Sequence, residues 1–272
     1  MRLTVLGSGS RGNALLLEHG DSALLVDAGF SFRELCSRCE AAGRDPARIT
    51  AIVLTHEHGD HARGAAVAAA RWGVPVAASR GTLAKLDEEL PAETQRIALE
   101  VTRPVELAGL SVHCFPTAHD AAEPLALVLV SPEGRSIGVA YDVGSPTVAL
   151  RHALRSLDAM VIEANHDEVL LRAGAYPPSV RSRIAGRGGH LSNRQAAELL
   201  ADAAHSGLSL VVLAHLSVEC NRPELAEKAA RRALARTAFR GRIIVASQDQ
   251  PSATLEIGES ALQLALPLTP SA

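Results

Sequence analysis

Residues 53–64 read "VLTHEHGDHARG" and place three histidines and two acids within the six positions from His56 to His61. The whole chain of 272 residues contains only 11 histidines, so this density needs a specific cause. The apolar residues before the loop predict a buried strand, and "DHARGAAVAAARWG" predicts a helix that starts near Asp60. Alternate side chains of an extended segment point the same way, which brings His56 and His58 together. Imidazole and carboxylate groups at this spacing suit a first-row divalent metal such as zinc, manganese or iron, rather than calcium.

Three further candidate ligands stand where later apolar segments end. His119 follows "VHCFPTA", Asp142 follows "SIGVAY" and His215 follows "LSLVVLA". Strands that end at one edge of a sheet deliver such side chains to the same loop region. Together with the first cluster, these residues complete the ligands of two metal sites. His113 competes with His119, but we rank it behind because it lies inside a predicted strand.

Short apolar runs alternate with helical patterns along the chain. Strands are predicted at residues 3–6, 14–18, 23–26, 51–54, 74–77, 112–116, 125–130, 136–140, 159–162, 208–213, 242–246 and 253–257. The segments "SFRE" at 31, "SNRQ" at 192 and "NRPE" at 221 predict helix starts. This order favours an α/β fold with four layers, αββα, in which helices cover the outer faces of two paired sheets. We find no linker and expect a single domain over residues 1–272.

The composition is that of an ordinary globular protein, with 47% hydrophobic and 21% charged residues. The formal net charge of −3 gives no general basic field for nucleic acid, although a local arginine cluster would suffice. The chain shows neither a signal-peptide core nor an apolar run long enough to span a membrane, so we expect a cytoplasmic protein. The C-x-x-C at residues 36–39 has no second pair, and we expect all four cysteines to be reduced thiols.

The N-terminal "GSGSRG" matches a dinucleotide-binding pattern, but the pattern requires a helix to follow, and the next residues predict a hairpin of two strands. We therefore reject nucleotide binding here. The small polar residues of this loop, Ser8, Ser10 and Asn13, are instead candidates for contacting a substrate at the sheet edge.

Taken together, these motifs resemble the metallo-β-lactamase-fold hydrolase superfamily. The segments "GSGSRGN", "THEHGDH", "TAHDAAEP", "YDVG", "EANHD", "YPPSVRSRIAGRGGHLSN" and "LAHLS" resemble its YycJ/WalJ-like group of bacterial nucleases over roughly residues 3 to 225. The resemblance implies a metal-dependent exonuclease that acts on double-stranded DNA from 5′ to 3′. Residues 226–272 carry no motif that we can interpret.

The resemblance also implies a binuclear site with two divalent ions, zinc or manganese. One ion would take His56, His58 and His119, the other would take Asp60, His61 and His215, and Asp142 would bridge them. Asp27 in "VDAG" would hydrogen-bond a ligand and hold it in place. Such a pair activates water for attack and screens the charge of a phosphodiester, which gives Asp60 a catalytic as well as a ligand role.

Outside the ligands, His190 in "GGHLSN" is the candidate general acid, as in related phosphodiesterases, and His166 in "EANHD" is a second candidate catalytic group. The candidate substrate contacts in these segments are Asn165, Ser192 and Asn193. The region between the two motifs is rich in arginines, which are a candidate track for the phosphates of a nucleic acid: Arg172, Arg181, Arg183, Arg187 and Arg194. Of these, we expect charge reversal at Arg181 and Arg187 to weaken polynucleotide binding.

Three alternatives stay open at this point. The chain could hydrolyse RNA or a small cyclic phosphodiester instead of DNA. It could cleave a thioester or a lactam, although the arginine-rich segment would then lack a purpose. It could also bind DNA with metal but without catalysis, which the full ligand set disfavours. The sequence does not indicate which oligomeric state the protein has.

Overall fold

The computed structural model describes residues 1–258. Its strands are β1 (Arg2–Gly7), β2 (Ala14–His19), β3 (Ser22–Val26), β4 (Ile49–Val53), β5 (Val76–Ala78), β6 (Arg96–Ala98), β7 (Val105–Leu107), β8 (Leu110–Pro116), β9 (Leu125–Val130), β10 (Ser136–Ala140), β11 (Ala159–Glu163), β12 (Leu210–Ala214), β13 (Arg242–Val245) and β14 (Leu255–Glu256). Its α-helices are α1 (Phe32–Ala41), α2 (Gly59–Ala62), α3 (Ala65–Trp72), α4 (Arg80–Lys85), α5 (Val148–Ala153), α6 (Glu168–Ala173), α7 (Pro178–Ile184), α8 (Asn193–Ala203) and α9 (Pro223–Leu234).

The strands form two sheets of seven, in the orders β14-β1-β2-β3-β4-β5-β6 and β13-β12-β11-β10-β9-β8-β7. One apolar core lies between the sheets and takes side chains from both, such as Leu17 and Val161. A second core packs α8 and α9 on the second sheet, and a third packs α1 and α3 on the first. The four layers confirm the predicted αββα architecture.

Local sequence explains where most elements begin and end. The predicted capping boxes form at the starts of α1 and α8, where Ser31 and Ser192 each exchange hydrogen bonds with the residue three positions later. Each of the twelve predicted strands is present within a few residues of its predicted bounds. The strands β6 and β7 were not predicted, because three residues at a sheet edge carry too little pattern.

The helix predicted after the histidine loop is divided in two. α2 ends at Ala62 and α3 begins at Ala65, with Gly64 between them. A Cβ atom on Gly64 would lie 1.9 Å from the carbonyl oxygen of Phe30, so only glycine allows the chain to pass there. The close approach fixes the histidine loop against the segment that follows β3.

The topology brings several strand ends to one edge. β3, β4 and β5 are parallel neighbours in the first sheet, and β10, β11, β12 and β13 are parallel neighbours in the second. Their carboxyl ends therefore meet at the same side of the sandwich, where open α/β sheets bind ligands. Within residues 1–258, no helix combines the length and apolarity needed to cross a membrane.

Candidate metal centre

Every predicted metal ligand follows the carboxyl end of a strand. The histidine loop connects β4 to α2, and His119 comes three residues after β8. Asp142 stands two residues after β10, and His215 directly follows β12. The chain thus delivers the ligands from both sheets to one edge.

The structure brings all seven predicted ligands together. Within residues 1–258, four groups have nitrogen or oxygen atoms that lie within 4.8 Å of one another. Three consist of predicted ligands alone: His56, His58 and His119; Asp60, His61 and His215; and His56, His61 and Asp142. The fourth is Asp142, Glu163, His190 and His215. The first two groups are those that the resemblance implied. In contrast, His113 lies in β8 and contacts the Ser111 hydroxyl at 3.5 Å, which leaves His119 as the third ligand of the first group.

Asp142 stands between the two groups. One of its carboxylate oxygens, Oδ2, lies 2.7 Å from His61 Nε2 and 3.6 Å from His56 Nε2. The other, Oδ1, lies 3.0 Å from His215 Nδ1 and 3.9 Å from His119 Nε2. A carboxylate in this position can reach a cation in either group, as the bridging role requires.

The donor set fits divalent metal ions. Within residues 1–258, His56 Nε2 and His215 Nε2 are buried without a hydrogen-bond partner. Buried polar atoms are rarely left without a partner, so an unpartnered imidazole nitrogen beside carboxylates indicates a position for a cation. Mixed imidazole and carboxylate donors favour a first-row metal.

Burial and charge act in opposite directions on these groups. Burial, together with the positive charge of His61, lowers the pKa of His56 well below its ordinary value. Burial also disfavours the charged ring of His61, but the carboxylates of Asp142 and Asp27 raise its pKa well above the ordinary value. The carboxylates therefore create a negative field that favours a cation at this edge.

Asp27 forms hydrogen bonds with residues of the histidine segment. Its Oδ2 accepts a hydrogen bond from His61 Nδ1 at 2.7 Å, and its Oδ1 accepts one from the Thr55 backbone N–H at 2.8 Å. Both residues of the Asp27–His61 pair are completely buried. A carboxylate on Nδ1 fixes the imidazole so that Nε2 faces the ligand cluster.

Glu163 is a site residue that we did not predict. It is the last residue of β11 and completely buried, and its Oε1 accepts hydrogen bonds from His190 Nδ1 at 2.7 Å and His215 Nδ1 at 3.1 Å. Its Oε2 accepts from the backbone N–H groups of Val143 and Leu191, each at 3.0 Å. The signal was an acid at the end of an apolar strand, the same signal that identified Asp142.

Glu163 and His190 form a charged pair beside the metal cavity. The residues that line this cavity are Ser10, His58, Asp60, His119, Asp120, Asp142, Val180, Arg183, Ile184, Gly189, His190 and His215. Burial alone would raise the pKa of Glu163, but His190 beside it lowers the pKa to about 2. Burial likewise disfavours the charged His190 ring, yet Glu163 and Asp142 raise its pKa to about 9. The ring centroid of His190 lies 5.2 Å from that of His119 and 5.3 Å from that of His215, so His190 adjoins both ligand groups.

The backbone bends sharply at three of these positions. Asp27, Asp142 and His215 have φ angles of 60°, 51° and 53°, in the left-handed region that residues other than glycine rarely adopt. Each residue directly follows or nearly follows a strand, so the bend turns its side chain into the site. Such strained conformations cost free energy and persist where the surrounding contacts hold them.

The other catalytic candidate, His166, lies apart from the ligand groups. It is 2% exposed, and its backbone carbonyl accepts a hydrogen bond from the Asn193 N–H. Among the described residues that line the metal cavity, His166 is not present, whereas His190 is. The backbone of His166 forms a bridge with Ser192, and a catalytic role for its side chain stays a prediction.

The predicted substrate contacts divide into two classes. Among residues 1–258, only Ser10 of the small polar candidates lines the cavity. The others are buried and bonded to protein: Ser8, Asn13, Asn165, Ser192 and Asn193. These five residues differ from the expectation because the protein itself uses their polar atoms.

Those buried residues hold the ligand loops in place. The Ser8 hydroxyl accepts a hydrogen bond from the His215 backbone N–H and donates one to Asn13 Oδ1. The Asn165 amide donates to the His215 carbonyl at 3.1 Å. Ser192 caps α8, and Asn193 exchanges two hydrogen bonds with Asn221.

The predicted arginine track reaches the cavity through Arg183. Arg181 donates from Nη1 to the Arg172 carbonyl at 2.5 Å, and neither Arg181 nor Arg187 is among the residues that line the cavity in the described part of the chain. Arg183 does line it, next to Val180 and Ile184 of the same helix. Arg181 lies outside the cavity on the same helix, and Arg187 lies outside it in the segment after the helix ends at Ile184.

The fold and the ligand cluster define a metal-dependent hydrolase of the metallo-β-lactamase type. The family model for the beta-lactamase superfamily domain matches residues 23–216. The exodeoxyribonuclease YycJ of Bacillus anthracis is 31% identical over 242 residues, which cover 88% of this chain and 91% of the relative. The exodeoxyribonuclease WalJ of Streptococcus pneumoniae is 32% identical over 234 residues, which cover 83% and 85%.

A comparison of structures agrees on the fold. Zinc-bound PqqB from Methylobacterium extorquens superposes with a TM-score of 0.69 at 20% identity, covering 94% of this chain and 100% of that one. The chain belongs to the metallo-β-lactamase-fold hydrolases and, within them, to the YycJ/WalJ-like group. It is a hydrolase that binds divalent metal.

Proposed function

We propose that this protein is a binuclear phosphodiesterase that removes nucleotides from the 5′ ends of double-stranded DNA. The observation that carries the proposal is the convergence of two ligand groups on the single carboxylate of Asp142, at an edge open to solvent. The relatives named as exodeoxyribonucleases supply the substrate class and the mode of attack. We further propose that residues 1–272 act as one domain and that the protein works in the cytoplasm.

The two ions, zinc or manganese, would be held by the groups already described. His56, His58 and His119 would take one ion, Asp60, His61 and His215 the other, with Asp142 common to both. Bound in this way, the ions lower the pKa of water toward neutrality and screen the negative charge of a phosphodiester. Asp60 lies at the cavity surface as well as beside His61 and His215, so it can also orient the attacking water.

His190 would supply the proton that the leaving oxygen needs. Its ring lines the cavity between the two ligand groups. Because Glu163 accepts from Nδ1, the other ring nitrogen, Nε2, is left to donate toward a substrate. An alkoxide that departs from phosphorus requires a proton or a cation, and a general acid in this place contributes roughly 10²- to 10⁴-fold to the rate.

Arg181 and Arg187 remain proposed contacts for phosphates farther from the metals. Both belong to the arginine-rich stretch around α7, which borders the cavity through Arg183. Contacts of this kind position the polynucleotide without reading its bases.

The function is tested by digestion of defined substrates. The protein is stripped with EDTA, then supplied with manganese or zinc and given duplex DNA labelled at the 5′ or the 3′ end, single-stranded DNA, RNA, a cyclic nucleotide, a thioester and a lactam. We expect the 5′ label to appear first as mononucleotide while the 3′ label stays on shortening strands. Faster turnover of RNA or of the cyclic nucleotide than of DNA would show that DNA is not the preferred substrate. Hydrolysis of the thioester or lactam alone would refute the proposed phosphodiesterase activity.

A further inference from the structure

We propose that Arg183 binds a non-bridging oxygen of the phosphodiester next to the scissile bond and thereby selects phosphodiesters over neutral esters and amides. The inference rests on the proposed function, since it names a residue that recognises the substrate of the same site. It concerns a side chain that is not a metal ligand.

The first observation is the charge of the cavity lining. In the described part of the chain, the cavity is lined by three carboxylates, Asp60, Asp120 and Asp142, and Arg183 is the one arginine or lysine among the lining residues. These carboxylates repel an anionic substrate. Bound metal ions would offset that repulsion only close to their own ligands. A guanidinium group at the mouth offers a further cationic contact for phosphate.

The second observation is how Arg183 is held. Its Nε donates to Asp120 Oδ2 at 2.6 Å, and its Nη2 forms an ion pair with the same oxygen at 2.5 Å. This pairing occupies one edge of the guanidinium fork and leaves Nη1 available. Asp120 directly follows the ligand His119, and its backbone N–H donates to the Gly188 carbonyl, so the carboxylate that aims Arg183 is itself fixed beside the first ligand group.

The third observation is the surface around Arg183. Val180 and Ile184, which are four residues apart on the helix, present apolar groups to the same cavity. A guanidinium group flanked by aliphatic side chains can contact both parts of a sugar–phosphate unit of DNA, since the charged phosphate is joined to a deoxyribose that has an apolar face. The exposed side of α7 therefore forms a wall suited to the nucleotide beside the scissile bond.

The first test compares Arg183→Ala with Arg71→Ala. Arg71 is an exposed arginine near the end of α3 opposite to the histidine loop, so its variant loses the same charge away from the cavity. We expect Arg183→Ala to keep its metal content and lose about 10- to 100-fold in kcat/KM on duplex DNA. The slope of log kcat/KM against log salt concentration should become shallower by about one unit. Arg183→Lys should restore the salt slope and only part of kcat/KM.

The second test identifies the atom contacted. A methylphosphonate linkage next to the scissile bond removes one non-bridging charge from the DNA. We expect it to slow the wild-type protein most, to slow Asp120→Ala by a smaller factor because the guanidinium group is no longer aimed, and to slow Arg183→Ala no further because the contact is already lost. A structural role for the Arg183–Asp120 pair alone would make the two variants behave alike.

Equal activity of Arg183→Ala and Arg71→Ala, or wild-type sensitivity of Arg183→Ala to the methylphosphonate at every adjacent position, would overturn the inference. Failure of the wild-type protein to degrade DNA in any metal would instead refute the proposed function. The two failures are therefore distinguishable in one set of measurements.

Discussion

Two buried carboxylates, one from each sheet, support the metal centre in different ways. Asp27, after β3, binds one metal-ligand histidine: its oxygens accept from His61 Nδ1 and from Thr55. Glu163, at the end of β11, is shared, because its Oε1 accepts from both His190 and His215. Asp27 thus supports a ligand alone, whereas Glu163 connects a ligand to the candidate proton donor.

The difference shows how the two sheets divide the work. The first sheet supplies the compact histidine loop and a carboxylate that fixes it. The second sheet supplies ligands from separate loops, and Glu163 links one of them, His215, to the backbone N–H groups of Val143 and Leu191. A change at Asp27 should therefore affect metal binding, and a change at Glu163 should affect both metal binding and proton transfer.

Glu163→Gln should have the largest effect. An amide cannot accept from both histidines through one atom and from two backbone N–H groups through the other, so one set of hydrogen bonds must break. We expect kcat on duplex DNA to fall by roughly 10³-fold or more, since both the general acid and a metal ligand lose their support. Added metal should restore only a small part of this loss.

The control for Glu163→Gln is His190→Ala. This variant removes the candidate acid without touching His215, so it should keep the full metal content while losing turnover. Near-normal turnover of His190→Ala with full metal would remove the acid role and leave Glu163 as a support for His215 only.

Asp27→Asn should have an intermediate effect. The amide group presents a donor either to Thr55 N–H or to His61 Nδ1–H, which weakens the orientation of His61. Removing such an outer hydrogen bond lowers metal affinity or activity by about 10- to 100-fold. Metal titration should show weaker binding, and saturating metal should restore most of the turnover. A loss of kcat that persists at saturating metal would contradict the division of roles between the two carboxylates.

Ser192→Ala should have the smallest effect, on stability rather than on catalysis. Ser192 caps α8 and lies beside the Glu163-bonded segment, but its hydroxyl donates to Glu168 and accepts from the Gln195 N–H. Loss of the cap should lower the free energy of unfolding by about 1 kcal/mol. Ser31→Ala in the capping box of α1 is the matched control and should cost a similar amount. If KM for DNA increased in Ser192→Ala but not in Ser31→Ala, Ser192 would be a substrate contact after all.

The contiguous part of the site was predictable from sequence. The three histidines of the first cluster are recognisable because they lie so close together in the sequence. The later ligands, His119, Asp142 and His215, each follow an apolar run that indicates a strand end, and such ends converge in an α/β sandwich. The architecture followed from the same runs, since each is long enough to carry a pattern.

The rest depends on tertiary contacts. Glu163 precedes "ANHD", and its conspicuous neighbour His166 drew the functional assignment, while only the folded structure shows which of the two reaches the ligands. Polar residues such as Asn13 and Asn165 carry no sequence mark that separates a substrate contact from a buried support. The sequence does not show which arginine of the track reaches the cavity. In the folded helix, Arg183 lines the cavity and Arg181 does not.

The central claim is that side chains from both sheets hold two metal ions around Asp142. The direct measurement is the metal content of purified protein by mass spectrometry after equilibration with zinc or manganese, for wild type and Asp142→Ala. We predict close to two ions per wild-type chain and clearly fewer in the variant, with DNA digestion lost in parallel. Full digestion by wild-type protein that retains no metal after EDTA would contradict the account.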